Sequence, residues 1–234
     1  MRLIRPALLA PYLAVTVLHL LAQAAGWHAV AGASQVLLMP ALALFLVLTT
    51  RDWRGQHSAL VRLTRWALLF SWLGDTVPRF LGDDASFGPM LGCFLLAQIC
   101  FIRAFWPFRA RSVLRRSSRW DTPYAAALLG LLATCAPAAG ILAPAVVVYG
   151  CCLAGMAVLA TGLNALTWAG GAIFMASDSL IALDAFDVWS QPGHDVWVMG
   201  TYCVAQLLLV LGVLRQTADQ ADAPAGHHPG VVPA

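Results

Sequence analysis

Apolar residues gather along this chain in eight long blocks, near 7–25, 34–50, 64–82, 87–106, 122–139, 141–161, 166–184 and 195–214, separated by short polar segments. Each block is close to the roughly 20 apolar residues needed to cross a bilayer. Backbone groups in lipid must be hydrogen-bonded within the spanning segment, so each block predicts a helix. The fifth and sixth blocks are divided by Pro137, Ala138, Ala139 and Gly140 alone, which requires a tight hairpin there. The expected fold is an all-α integral membrane protein whose eight transmembrane helices form two parallel four-helix repeats.

Composition agrees. Of 234 residues, 60% are hydrophobic and 11% charged, against about 25% charged in soluble domains. The charges are 14 Arg and 11 Asp, with neither Lys nor Glu. With eight spans, 13 of the 14 Arg fall on one side and Arg79 alone on the other. The positive-inside rule then puts both termini in the cytoplasm. The absence of Lys beside abundant Ala and Arg hints at GC-rich coding and a bacterial inner membrane. Arg2 and Arg5 before an apolar run ending in Ala22-Gln23-Ala24 imitate a signal peptide, but this run has a counterpart later in the chain. Residues 1–215 are therefore assigned to the bundle. The tail 216–234, rich in Ala, Pro, Gly, Asp and His, reads as disordered and cytoplasmic.

The repeat comes from matches in register. Pro11-Tyr12 pairs with Pro123-Tyr124, Leu38-x-Pro40-Ala41 with Leu142-x-Pro144-Ala145, Asp75 with Asp178, and Ala97-Gln98 with Ala205-Gln206. Repeat A covers about 7–106 and repeat B about 122–214. Because each unit holds an even number of spans, the halves share one orientation about an axis along the membrane normal. That axis can bring Asp75 and Asp178 together near mid-bilayer.

Ionisable groups inside a membrane are costly and mark function by default. The plainer alternative is that each Asp only hydrogen-bonds neighbouring helices. Polar neighbours favour a shared cavity: Ser71 one turn before Asp75, Ser177 and Ser179 flanking Asp178, Tyr202 and Gln206 on one helix face, Gln98 as the repeat partner of Gln206, and Tyr149 in span six. Taken singly, each is more often a helix-contact residue. Pro40 and Pro144 would free backbone carbonyls at matched positions, and Gly74, Gly170 and Gly171 suit close helix packing. His19, His28, His57 and His194 lack metal-ligand spacing and receive no role. The six cysteines read as small packed hydrophobes. No metal or cofactor is expected.

The segments Leu68-Leu69-Phe70-Ser71-Trp72-Leu73-Gly74-Asp75, Ile173-Phe174-Met175-Ala176-Ser177-Asp178-Ser179-Leu180 and Thr201-Tyr202-x-x-Ala205-Gln206 together resemble the YhhN family, which includes the lysoplasmalogenases. The likeness runs over about residues 7–214. It implies hydrolysis of the vinyl ether bond of a lysoplasmalogen to a fatty aldehyde and a glycerophospho-alcohol, with the family's acidic positions on Asp75 and Asp178. Such chemistry needs one protonated carboxyl to protonate the alkene carbon and one carboxylate to support the cation and activate water, as in glycosidase carboxylate pairs. Asp178 is taken as the acid and Asp75 as its partner, the reverse being equally consistent. Ser71, Gln98, Tyr149, Ser177, Tyr202 and Gln206 are taken as substrate-binding. The expected partners are a lysophospholipid substrate and membrane lipids, with no nucleic acid, and nothing in the sequence sets the oligomeric state. A proton-coupled transporter of small molecules or lipids would use the same acids. An intramembrane aspartyl protease fits less well, because Leu73-Gly74-Asp75 lacks the G-x-G-D element and no Tyr precedes Asp178.

Overall fold

The computed structural model describes residues 6–51, 58–81, 83–116 and 118–222, and the side chains of all of these except 83–86, 116, 118–121 and 222. Its α-helices are α1 (Pro6–Ala24), α2 (His28–Thr50), α3 (Ala59–Thr76), α4 (Asp83–Phe105), the single turn α5 (Val113–Arg116), α6 (Ser118–Ala138), α7 (Ala143–Ala160), α8 (Ala165–Ala185) and α9 (His194–Asp222). The eight longer helices coincide with the eight apolar blocks. Six of the helical segments are long and apolar enough to cross a membrane, which makes this a multi-pass membrane protein. The other two fall short for visible reasons. Helix α3 carries Arg62, Arg65 and Asp75, and the apolar part of α6, Thr122–Ala138, is shorter.

Local sequence explains the helix ends. Ser58 caps α3 by accepting a hydrogen bond from the Val61 amide at 3.3 Å. Asn164 caps α8 in a reciprocal capping box with Thr167. The α6–α7 hairpin closes through Gly140, whose φ of +53° suits a residue without a side chain. The chain between α8 and α9 turns through Asp187 at φ +54° and Gly193 at φ +70°.

Packing follows chain order within each half: α1 on α2, α2 on α3 and α3 on α4, then α6 on α7, α7 on α8 and α8 on α9. The halves join where α4 meets α7 and where α9 meets α1, α2 and α3. Helix α9 is accordingly the most enclosed span. Glycines set the closest approaches. A Cβ on Gly170 would lie 2.9 Å from the Leu209 amide nitrogen and 3.0 Å from the Ala205 carbonyl oxygen. One on Gly171 would lie 3.0 Å from the Ala160 Cβ, so α8 is pressed against α9 on one side and α7 on the other.

Three details differ from the sequence reading. Pro144 stands in the first turn of α7, where its missing N–H has no partner to lose, whereas Pro40 lies inside α2. Pro144 therefore frees no mid-span carbonyl. Asp75 is the penultimate residue of α3, followed by a 3₁₀ turn, Val77–Phe80, so it sits nearer a helix end than mid-span. Helix α9 continues past Arg215 to Asp222, because Gln216 and Thr217 are buried against the bundle. The rest of the tail, 223–234, lies outside the described residues, as do Arg2, Arg5, Arg54 and His57.

Two glycine substitutions test the packing. Gly170→Ala is expected to destabilise by about 1–3 kcal/mol by overpacking the α8–α9 contact. Gly92→Ala, whose new Cβ would meet nothing within 4 Å, is expected to be neutral or stabilising by up to about 1 kcal/mol. Thermal unfolding in detergent distinguishes the two, and equal shifts would contradict the packing.

Candidate functional site

Asp75 and Asp178 are each buried and held by a tyrosine from another helix. Asp75, 7% exposed, accepts a hydrogen bond at 2.8 Å from the Tyr202 hydroxyl of α9. Asp178, 6% exposed, accepts one from the Tyr149 hydroxyl of α7. The first contact joins the two halves of the chain, and the second lies within the second half. A carboxylate removed from water needs such donors, since an unpaired buried charge costs several kcal/mol. Tyr202 is itself fixed by edge-to-face contacts with Phe94 and Phe174, at centroid distances of 5.8 and 5.9 Å. Gly74 gives Phe94 its room, because a Cβ there would come within 2.8 Å of the ring.

Both acids line one cleft of about 580 Å³ that lies at the end of the bundle holding the α3–α4 and α8–α9 connections. Its polar wall includes Gln23, Gln35, Arg79, Asp184, His194 and Asp195. Behind Asp178 a second, narrow crevice runs between α4, α6, α7 and α8, lined by Phe87, Leu91, Leu131, Leu153 and Phe186, with Tyr149 at its side. Asp178, Met90, Phe94 and Ile181 border both spaces. Asp178 thus stands where a polar cleft meets a small apolar slot of about 40 Å³.

The other expected site residues divide in two. Gln98 is fully buried against Asp178 and Tyr149, within hydrogen-bonding reach of both, and lines neither the cleft nor the slot. Ser71, Gln206 and Ser177 are buried away from the cleft lining. Gln206 donates from Nε2 to Ser71 Oγ at 3.0 Å, tying α9 to α3 one turn from Asp75. Ser177 donates to the Val198 carbonyl at 2.9 Å and fastens α8 to α9. These three hold the helices that carry the acids and their tyrosines.

Sequence reasoning missed most of the cleft rim. Gln35 approaches Asp75 and accepts a hydrogen bond at 2.8 Å from Arg79 Nη1. His194 Nε2 lies 3.7 Å from Asp184 Oδ2. One signal was available: Arg79 is the lone arginine left on the far side by the positive-inside count. The rest come together only when helix ends meet.

Fold and site define a polytopic helical membrane protein with two buried acids in a cleft beside an apolar slot. The family model described as "YhhN family" matches residues 30–213, and the chain belongs to that family. Two curated relatives, both named lysoplasmalogenase, come from Mycobacterium bovis and Mycobacterium tuberculosis. Each is 30% identical over 183 residues, a match covering 70% of this chain and 66% of the relative. The chain thus spans just under two thirds of the length of these relatives. No solved structure matches it.

The Ser71–Gln206 link has a measurable consequence. Ser71→Ala leaves a buried amide donor without its acceptor and is expected to cost about 1–3 kcal/mol. Combined with Gln206→Leu, the loss should fall below the sum of the single losses. Unfolding in detergent measures the cycle, and strict additivity would contradict the contact.

Proposed function

We propose that this chain is a membrane-embedded hydrolase that cleaves the vinyl ether bond of lysoplasmalogens, with Asp75 and Asp178 as its acid–base pair. The observation carrying this reading is the position of Asp178, at the junction of a polar cleft shared with Asp75 and an apolar slot. A single-chain lipid laid there has its glycerol headgroup in the cleft and its vinyl ether at the acid, with its tail directed toward the slot, which at about 40 Å³ has to widen to take a hydrocarbon chain. The name of the mycobacterial relatives supports the same substrate.

The chemistry follows from the bond. A protonated Asp178 delivers its proton to the outer alkene carbon, leaving an oxocarbenium ion between the former vinyl carbon and the ether oxygen. The ionised Asp75 stabilises that cation across the cleft and takes a proton from the attacking water. Water adds to the oxygen-bearing carbon, giving a hemiacetal. Transfer of a proton to the glycerol oxygen as the carbon–oxygen bond breaks releases fatty aldehyde and the glycerophospho-alcohol. One water is consumed, and the acid recovers its proton. Tyr149 and Tyr202 keep the two carboxyl groups oriented, and Gln98, buried against Asp178 and Tyr149, steadies that pair as it meets water and the ether oxygen. Burial of both carboxyl groups strengthens these electrostatic contacts.

We also infer eight crossings in two parallel four-helix repeats, with both termini cytoplasmic in a bacterial inner membrane. The matching order of neighbours in the two halves supports the repeat. Charge supports the orientation: on the cleft end the described arginine is Arg79, while Arg51, Arg62, Arg65, Arg103, Arg109, Arg111, Arg115 and Arg215 belong to the opposite end. The cleft then opens to the outer face.

Purified protein should release fatty aldehyde from a lysoplasmenyl lipid and none from the saturated-ether analogue. Asp75→Asn and Asp178→Asn should each lower the rate a hundredfold or more while the protein stays folded, about what losing a positioned acid or base costs. Aldehyde release unchanged in either variant would overturn the assignment, and lipid or solute flux without product would favour a transporter. For the orientation, alkaline phosphatase fused after Val188 should be active and after Arg111 inactive. The reverse pattern would invert the topology.

A further inference from the structure

Arg79 is exposed at the cleft mouth, yet its guanidinium is held in place. Nη1 donates to Gln35 Oε1 at 2.8 Å. On its other side the group lies over Gly32, where an added Cβ would come within 2.1 Å of Nη2. The cleft floor beyond Gln35 is Asp75, which the Gln35 amide approaches. Across the cleft, the α8–α9 rim carries Asp184 and Asp195, which repel an anion. Among the described residues lining the cleft, Arg79 is the one arginine.

We propose that Arg79, set by Gln35 and by the missing side chain at Gly32, is the residue that holds the phosphate of a lysophospholipid in the cleft mouth. This rests on the hydrolase reading for the identity of the lipid and adds the residue that selects it. The planar guanidinium matches a phosphodiester with paired donors, which a lysine would supply only as a point charge. Spacing agrees as well. Gln35 accepts from Arg79 Nη1 at 2.8 Å and approaches Asp75, so guanidinium and carboxyl stand one side-chain amide apart. In a glycerophospholipid five bonds separate the ether oxygen at one end of glycerol from the phosphorus at the other, a comparable reach. A lipid whose phosphate rests on Arg79 therefore has its ether beside Asp75, in the cleft that Asp178 also lines. With the cleft opening to the outer face, Arg79 draws its lipid from the outer leaflet.

The test is direct binding to the protein in nanodiscs, with two uncleavable probes: an alkyl-ether glycerophosphocholine and the matching alkylglycerol without phosphate. Arg79→Gln should weaken the phosphate-bearing probe by about tenfold to a hundredfold, the range of a charge-assisted pair, and change the alkylglycerol by less than twofold. Arg79→Lys should fall between. Gly32→Ala, which keeps the charge and displaces the guanidinium, should weaken the phosphate-bearing probe alone. Equal losses for both probes, or none, would overturn the proposal. So would displacement of the lipid probe by inorganic phosphate at equal concentration, which would make the site one for the free ion. The outcome is separable from the hydrolase reading: phosphate-selective binding without aldehyde release would remove the reaction and keep Arg79, and aldehyde release indifferent to Arg79 would do the reverse.

Discussion

A carboxylate buried in a helical membrane bundle has to be given hydrogen-bond donors by the protein, and this requirement organises the molecule. Asp75 and Asp178 obtain theirs from Tyr202 and Tyr149, on helices that must be brought against α3 and α8. The close approaches that permit this are built from glycine. Gly170 and Gly171 press α8 against α9 and α7, and Gly74 admits the Phe94 ring that braces Tyr202. Hydrogen bonds far apart in sequence, Gln206 to Ser71 and Ser177 to Val198, then fix α9 relative to α3 and α8. Stability and site geometry thus draw on the same contacts.

If the chain is a duplicated four-helix unit, its halves have diverged where the chemistry needs them to differ. Carried across by the step that relates Asp75 to Asp178, Ser71 falls on Phe174. Gln206 therefore has a serine partner, while Gln98, its counterpart, lies against Asp178 and Tyr149 instead. Carried across by the step that relates Gln98 to Gln206, Tyr202 falls on Phe94, and the two rings meet edge to face. One half keeps the hydroxyl and the other the bare ring. The outcome is two acids in different surroundings, one near a glutamine tied to a serine and one against a glutamine packed on its own tyrosine.

Much of the fold was legible because hydropathy in a membrane protein is set by the solvent. Block boundaries fall within a few residues of α1, α4 and α8, and the Pro137–Gly140 break is a hairpin closed by a left-handed glycine. Misreadings came where hydropathy stops informing. Helix α2 begins at His28 and α3 at Ala59, each about a turn ahead of the apolar run assigned to it, and α9 continues beyond Arg215. The Pro144 match marked a helix start that a proline pattern alone does not distinguish from a kink. The acids and tyrosines stood out because polar residues are conspicuous in apolar spans. Arg79, Gln35, His194 and Asp184 lie at helix ends, where polar residues are ordinary. Their importance comes from contacts such as Gln35 with Arg79, 44 positions apart.

The central claim is that a carboxyl pair protonates the outer alkene carbon and directs water to the vinyl carbon. The most direct measurement is turnover of a lysoplasmenyl lipid in heavy-isotope water, with the aldehyde reduced as it forms. In deuterium oxide the account expects one deuterium on the carbon next to the carbonyl. In oxygen-18 water it expects no label in the glycerol hydroxyl. Label in that hydroxyl, or an aldehyde without deuterium, would contradict carbon protonation and with it the roles assigned to Asp178 and Asp75.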